Sequence, residues 1–319
     1  MGWGKVAVGL AWVAVTGCGG AIAGDDGAPA PPPRPACEGV APAPADRAPG
    51  RAEVIARGSS LRAIAVDDEE VFFASDERGT PLSAVRKDGS GARVVAPTGA
   101  YRIVSAGPDL YVGGGGRWVS RVAKQTGETS LLPIESVFDF AVDGDTLYVA
   151  SLETGIEKLA RGQARPTHLA DGAGAQGISV RDGWVYWVDY GADRVMRVRT
   201  TGGAPETIAT GEHFPRGVVA DCRDVYFSIG NYGETLRRVP LDGSARPASL
   251  AAVGGAFTLD RHSIWVQNAR ETSRVSLASG AVETLGEGGG YSGGVPGPIA
   301  TDAAAVYWIT STAVYRAAK

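Results

Sequence analysis

The sequence predicts an all-β chain, folded as a seven-bladed β-propeller of four-stranded antiparallel blades. Three observations predict it. An apolar-aromatic-apolar triplet returns seven times, with its central aromatic at Phe72, Tyr111, Tyr148, Tyr186, Tyr226, Trp265 and Tyr307, and neighbouring copies lie 37 to 42 residues apart. A repeat of roughly forty residues built from short alternating segments is the mark of a propeller array. Apolar residues alternate or run in short blocks, and no long stripe at helical spacing appears. Glycine is abundant, 46 residues in 319, as a fold with a tight turn about every ten residues demands.

The front of the chain reads differently. Residues 1–17 carry Lys5 and then the apolar stretch Val6 to Val15, too short to span a bilayer and suited to a secretory signal peptide. Val15-Thr16-Gly17-Cys18 resembles the bacterial lipoprotein signal, which implies that Cys18 is acylated and becomes the new N-terminus. The other reading is an ordinary signal peptide followed by a chance cysteine. Gly19 stands where the inner-membrane sorting rule has aspartate, so the resemblance implies an exported chain, lipid-anchored in the cell envelope at the outer membrane. Residues 18–50 are rich in alanine, proline and glycine, a composition that cannot bury a core and predicts a flexible tether. The propeller is then expected over 51–319.

The fifth repeat shows what one blade contains. Gly217-Val218-Val219-Ala220-Asp221 is a short apolar strand, and Val225-Tyr226-Phe227-Ser228 is a second. Leu236-Arg237-Arg238-Val239-Pro240 alternates apolar and charged, as a half-exposed strand should. Asp242-Gly243 signals a hairpin, and Pro247 to Ala251 forms the outer strand. The last repeat has only three such strands, while Arg51 to Gly58 reads like an outer strand without a blade. Residues 52–57 are therefore expected to complete the last blade and remove its free edge.

The chain carries 31 Lys and Arg against 35 Asp and Glu, a net charge of −4. Loss of residues 1–17 would take Lys5 and no acid. The basic residues are scattered along alternating strand positions, so nucleic acid is not an expected partner. Of the three cysteines, Cys18 is the lipidation candidate; Cys37 in the tether can reach Cys222 in the first turn of the fifth blade, and the two either pair or remain free thiols.

Chemistry-bearing motifs are sparse. His168, His213 and His262 fall on an outer strand, in the loop leading into the fifth blade and in the first turn of the sixth, so they do not converge. No metal site, cofactor or catalytic residue is predicted. Alignment of the repeats instead defines a ring at the channel mouth. Arg62, Tyr101, Phe138, Gln176 and Arg216 occupy one position, and Arg102 and Asp139 the next. Such a ring could take an anionic or polar ligand through forked guanidinium contacts. Loops between second and third strands add Trp118, Asp189, Tyr190 and Tyr232, a composition like that of an interface. The plainer reading is a solvated rim. Asp139 is the ring's one acid, so at least one arginine is expected to lack a partner within the ring.

Tyr186-Trp187-Val188-Asp189 and Leu236 to Ser244 resemble the YWTD propellers of low-density-lipoprotein-receptor type, and the pattern is similar to NHL and TolB-type bacterial propellers. The resemblance implies architecture. YWTD and TolB-type rings have six blades, so a six-bladed ring stays open if the second or sixth repeat is not a blade. Seven-bladed streptogramin lyases and sugar lactonases are also similar, but their metal-binding acid and histidine clusters have no counterpart in the mouth ring. The expected function is a monomeric, membrane-tethered binding module that engages a protein or envelope ligand through its loop-rich face and meets the membrane only through its lipid. The alternative is a periplasmic lactonase- or lyase-like enzyme acting at the mouth.

Overall fold

The structure is a computed structural model and describes residues 49–319 apart from 78, 116–117, 173, 232–233 and 290–297. The expected signal peptide, most of the expected tether, Cys18, Cys37 and Tyr232 lie outside the described residues. The described residues form seven four-stranded antiparallel sheets and no helix. Blades 1 to 6 span 61–96, 102–131, 137–170, 175–210, 218–251 and 256–287. Each is a simple meander, its strands adjacent in chain order.

Blade 7 closes the ring. Strands β26 (Ile299–Thr301), β27 (Ala305–Ile309) and β28 (Ala313–Ala318) supply three strands, and β1 (Glu53–Arg57) pairs antiparallel with β28. The register runs Glu53 to Arg316 and Arg57 to Ala313. Seven blades are thus present, and the second and sixth repeats are blades like the others.

The triplet explains why the blades stack. Its central aromatic faces the next blade, and its two flanking residues face the previous one. Phe72 of blade 1 packs with Ile103, Leu110 and Val112 of blade 2, whereas Val71 and Phe73 pack with Tyr307 of blade 7. The same alternation puts Tyr148 against Trp187, Tyr186 against Phe227 and Trp265 against Trp308. Neighbouring residues on a strand point to opposite faces, so three residues in a row furnish both sides of a blade. Burial of one such aromatic contributes roughly 3 kcal/mol.

The inner strands enclose a central channel of about 330 Å³. Its wall is mostly aliphatic, including Ile64, Ile103, Ile178, Val218, Phe257 and Ile299. One face of the ring carries the turns that join first to second and third to fourth strands, and is called the turn face. The other carries the loops between second and third strands and between blades, and is called the loop face.

Candidate functional site: the loop face

Arg62 and Tyr101 sit at the same ring position on blades 1 and 2. Arg62 pairs with Asp76 at 3.2 Å, and its guanidinium lies 5.6 Å from the centre of the Tyr101 ring. Arg102 donates from Nε to the Phe140 carbonyl at 2.8 Å, and the same nitrogen lies 2.9 Å from Asp139 Oδ1. Asp139 is wholly buried. Its Oδ2 accepts the Ile178 amide at 3.1 Å, so this one carboxylate links blades 2, 3 and 4.

Arg102 Nε has a single proton, and Phe140 takes it. Asp139 Oδ1 is left without a hydrogen bond. Burial pushes the Asp139 carboxyl above its usual value, and the charge of Arg102 only partly offsets this. Arg102 and Asp139 are therefore a joint between blades more than an open anion site.

Arg216 differs. Among the described residues its guanidinium has no carboxylate partner, and its Nε is buried without an acceptor. It lies over the Tyr190 ring at 5.1 Å. Asp189 is occupied elsewhere, bonded to Arg194 at 2.9 Å and to the Ala192 amide at 3.1 Å. The Gln176 Oε1, on the adjoining blade, is also buried without a partner. Phe138 is half-buried, and its carbonyl accepts the Gly115 amide at 3.1 Å. Trp118 is exposed.

Sequence reasoning passed over Phe214, which touches this cluster. Its ring centre is 5.3 Å from that of Tyr190, and 41% of the residue is exposed. Its φ is 54°, in the left-handed region. Other blades fill the same position, two residues before the ring, with Ser60 (φ 50), Ser136 (φ 54) and Gly174 (φ 102). The Phe214 amide is held by Asp193 Oδ1 at 3.0 Å. The signal was present in the repeat alignment as one bulky residue among small ones. Leu152 adds another exposed apolar side chain on this face.

The three ring arginines are thus held in three different ways. The loop face gathers Trp118, Leu152, Tyr190, Phe214 and Arg216 at or near its surface, while Arg62 and Arg102 are paired. Cys222 is disulfide-bonded and lies between β18 (Val218–Ala220) and β19 (Asp224–Ile229), on the turn face.

Among the described residues lining the channel, the titratable group is Arg102, joined by hydroxyls such as Ser105, Ser179, Thr258 and Thr301. Among the described residues no three His, Cys, Asp or Glu side chains are grouped to hold a metal ion. His168 pairs with Asp171 at 3.2 Å and His213 with Asp193 at 3.5 Å, at separate places.

No family model matches the chain, and no curated protein matches it. Solved structures do. Virginiamycin B lyase from Staphylococcus aureus is 12% identical with a TM-score of 0.67, over 84% of this chain and 99% of that one. The extracellular domain of a one component system from B. thetaiotaomicron is 15% identical with a TM-score of 0.64, over 83% of this chain and 39% of that one. A chain of the mitotic checkpoint complex is 14% identical with a TM-score of 0.63, over 86% of this chain and 94% of that one. At these identities the likeness is one of fold: the chain is a seven-bladed β-propeller, an architecture shared by a lyase, an extracellular domain and a subunit of a protein assembly.

Proposed function

We propose that this chain is a membrane-tethered binding module, engaging a protein or envelope ligand through the loop face. The observation that carries it is the unequal finish of the two faces. Aromatic and apolar side chains stand exposed on the loop face, at Trp118, Leu152 and Phe214. Beside them is Arg216, which has no carboxylate partner among the described residues and a buried Nε without an acceptor. Exposed apolar groups beside charge are typical of a surface that meets a partner. Cys18 would carry the lipid and 18–50 the tether, and a Cys37–Cys222 bridge would fasten that tether to the turn face, leaving the loop face to point away from the membrane.

The test is capture from an envelope extract by the full chain. Combined Trp118→Ala, Leu152→Ser and Phe214→Ser should abolish it, while Val94→Ser with Leu131→Ser on the outer rim should not. Equal capture by both variants would reject the loop-face reading. For the anchor, Cys18→Ser should leave the protein unprocessed or freely soluble; persistence in detergent-extracted membranes would reject lipidation. The lyase-like alternative rests on the shared fold, which does not carry activity. Stoichiometric Ca²⁺ or Mg²⁺ binding at the mouth would restore it.

A further inference from the structure

We infer that Arg216, seated on Tyr190 and flanked by Phe214, docks a ligand carboxylate carried next to an aromatic or apolar group. This deepens the loop-face reading and rests on it.

The first argument is charge. Four arginines at this face have acids: Arg62 has Asp76, Arg102 has Asp139, Arg194 has Asp189 and Arg237 has Glu212. Arg216 has none among the described residues, and it is partly buried. A guanidinium cannot shed its proton to escape that cost. Its charge therefore persists at the surface, where an anion from outside can meet it.

The second argument is geometry. A guanidinium lying over an aromatic ring keeps its N–H edge free, and that edge matches a carboxylate in a two-pronged contact. The backbone around it is fixed. The Arg216 amide donates to Ser228 O at 3.0 Å, and the Tyr190 amide donates to Gly174 O at 3.1 Å. A side chain at Gly177 would collide with the Arg216 carbonyl, so the two blades meet here backbone to backbone.

The third argument is strain. A bulky residue at positive φ costs on the order of 1–2 kcal/mol. The exposed ring of Phe214 recovers little of that by packing. Small residues serve the same turn in blades 1, 3 and 4. An aromatic held there, against Tyr190 and above the surface, makes an apolar shelf beside the cation. The ligand that uses both features bears a carboxylate and a flat or branched apolar group a few bonds away. A peptide ending in an apolar residue has this chemistry, and so does a small aryl-substituted acid.

Calorimetric titration of the full chain tests it, with three probes: N-acetyl-Ala-Ala-Phe as free acid, the same peptide as its C-terminal amide, and 3-phenylpropionate. The free acid should bind. Amidation, or Arg216→Gln, should weaken it about tenfold or more, the loss of a charge-assisted hydrogen-bonded pair. Phe214→Ser should weaken it severalfold without lowering the melting temperature, which separates a ligand contact from a structural one. If 3-phenylpropionate matches the peptide, the ligand is a small acid; if it binds much more weakly, a chain terminus is read. Equal binding of acid and amide, or no binding of either acid, overturns the carboxylate site. In that event, loss of envelope capture on the triple loop-face variant would show that the module reading survives without it.

Discussion

The two faces of the ring solve the same problem in opposite ways. On the turn face the acids of the first turns are answered by other parts of the chain. Asp260 accepts the His262 and Ser263 amides at 2.8 Å each and the Trp265 indole at 2.6 Å. Lys319, from the neighbouring blade, completes it at 2.7 Å. Asp302 repeats the arrangement with the Ala304 and Ala305 amides, the Tyr307 hydroxyl and Lys87. Asp67 does so with Glu69, Glu70 and Lys124. Arg161 reaches Asp109 in the same way. The cation in each case follows the third strand of one blade and meets the first turn of the blade before it. On the loop face Asp139, Gln176 and Arg216 keep buried polar atoms without partners. Asp139 is sealed inside the ring, so the unpartnered atoms near the loop-face surface are those of Gln176 and Arg216.

Three turn-face acids differ from Asp139 in the same sense, whereas Asp224, also on the turn face, is raised by burial and by the charge of Asp221. Burial alone would raise the carboxyls of Asp67, Asp260 and Asp302, but the lysine and amide hydrogen bonds outweigh it and hold each below its usual value. Burial also pushes the Tyr307 hydroxyl up to about 12, keeping it a donor to Asp302. Asp139 is held above its usual value instead.

The largest break of this contrast is Asp260→Ala. It strands the buried Trp265 indole and the Lys319 charge, and should cost about 2–4 kcal/mol in a urea melt. A loss near zero would mean that the turn face is no better tied than the loop face. Asp260→Asn keeps the turn acceptor but opposes a donor to Trp265 and Lys319. Because the folded carboxyl is depressed, the parent's advantage over this variant should be full at neutral pH. It should vanish as pH falls through the folded value, below about 4. An advantage that persists in acid would contradict the pairing.

Asp139→Asn should show the reverse slope and a smaller effect than Asp260→Ala. The parent's ionised Asp139 costs stability at neutrality, and that cost is relieved as pH falls through the raised folded value toward the ordinary carboxylate range. Parent and variant with parallel pH profiles would remove Asp139 from the account. The smallest effect belongs to Phe214→Gly. Relief of the backbone strain is opposed by the greater unfolded-state freedom of glycine and by loss of the tilted Tyr190 contact, leaving stability within about 1 kcal/mol of the parent. A larger drop would make Phe214 a packing residue and weaken the case for a ligand there.

Much of the fold could be read from the chain, because a triplet that furnishes both sides of a blade must recur at every blade. The closing strand could be read too, since Arg51 to Gly58 had an outer-strand pattern and no blade. The spacing from aspartate to the aromatic five residues later, as in Asp221 and Tyr226, Asp260 and Trp265, and Asp302 and Tyr307, was visible but says only that a turn precedes a strand. That Lys319 answers Asp260 depends on how neighbouring blades are set against each other, and local patterning does not encode that. The candidate site was legible in part. The repeat alignment placed Arg102 and Asp139 together and put Arg216 beside Gln176. It could not show that Asp139 reaches the Ile178 amide and disappears from the surface, or that Arg216 lies on Tyr190. Phe214 left a trace in the alignment, but its backbone conformation did not.

The pairing of β1 with β28 governs how the ring comes together in time. Glu53 and Arg316 are register partners drawn from opposite ends of the described chain, so the contact carries a loop-closure entropy and is expected to form after the blades between them. Until then β28 shows a bare edge, and a nascent or refolding chain is most prone to pair with another copy at that edge. The same topology works in reverse. A ring opens only when a joint parts, and every joint is a sheet-wide apolar contact with one blade on each side. The molecule should therefore be slow to fold and slower still to come apart, its lifetime set by the rate of ring opening more than by its equilibrium stability.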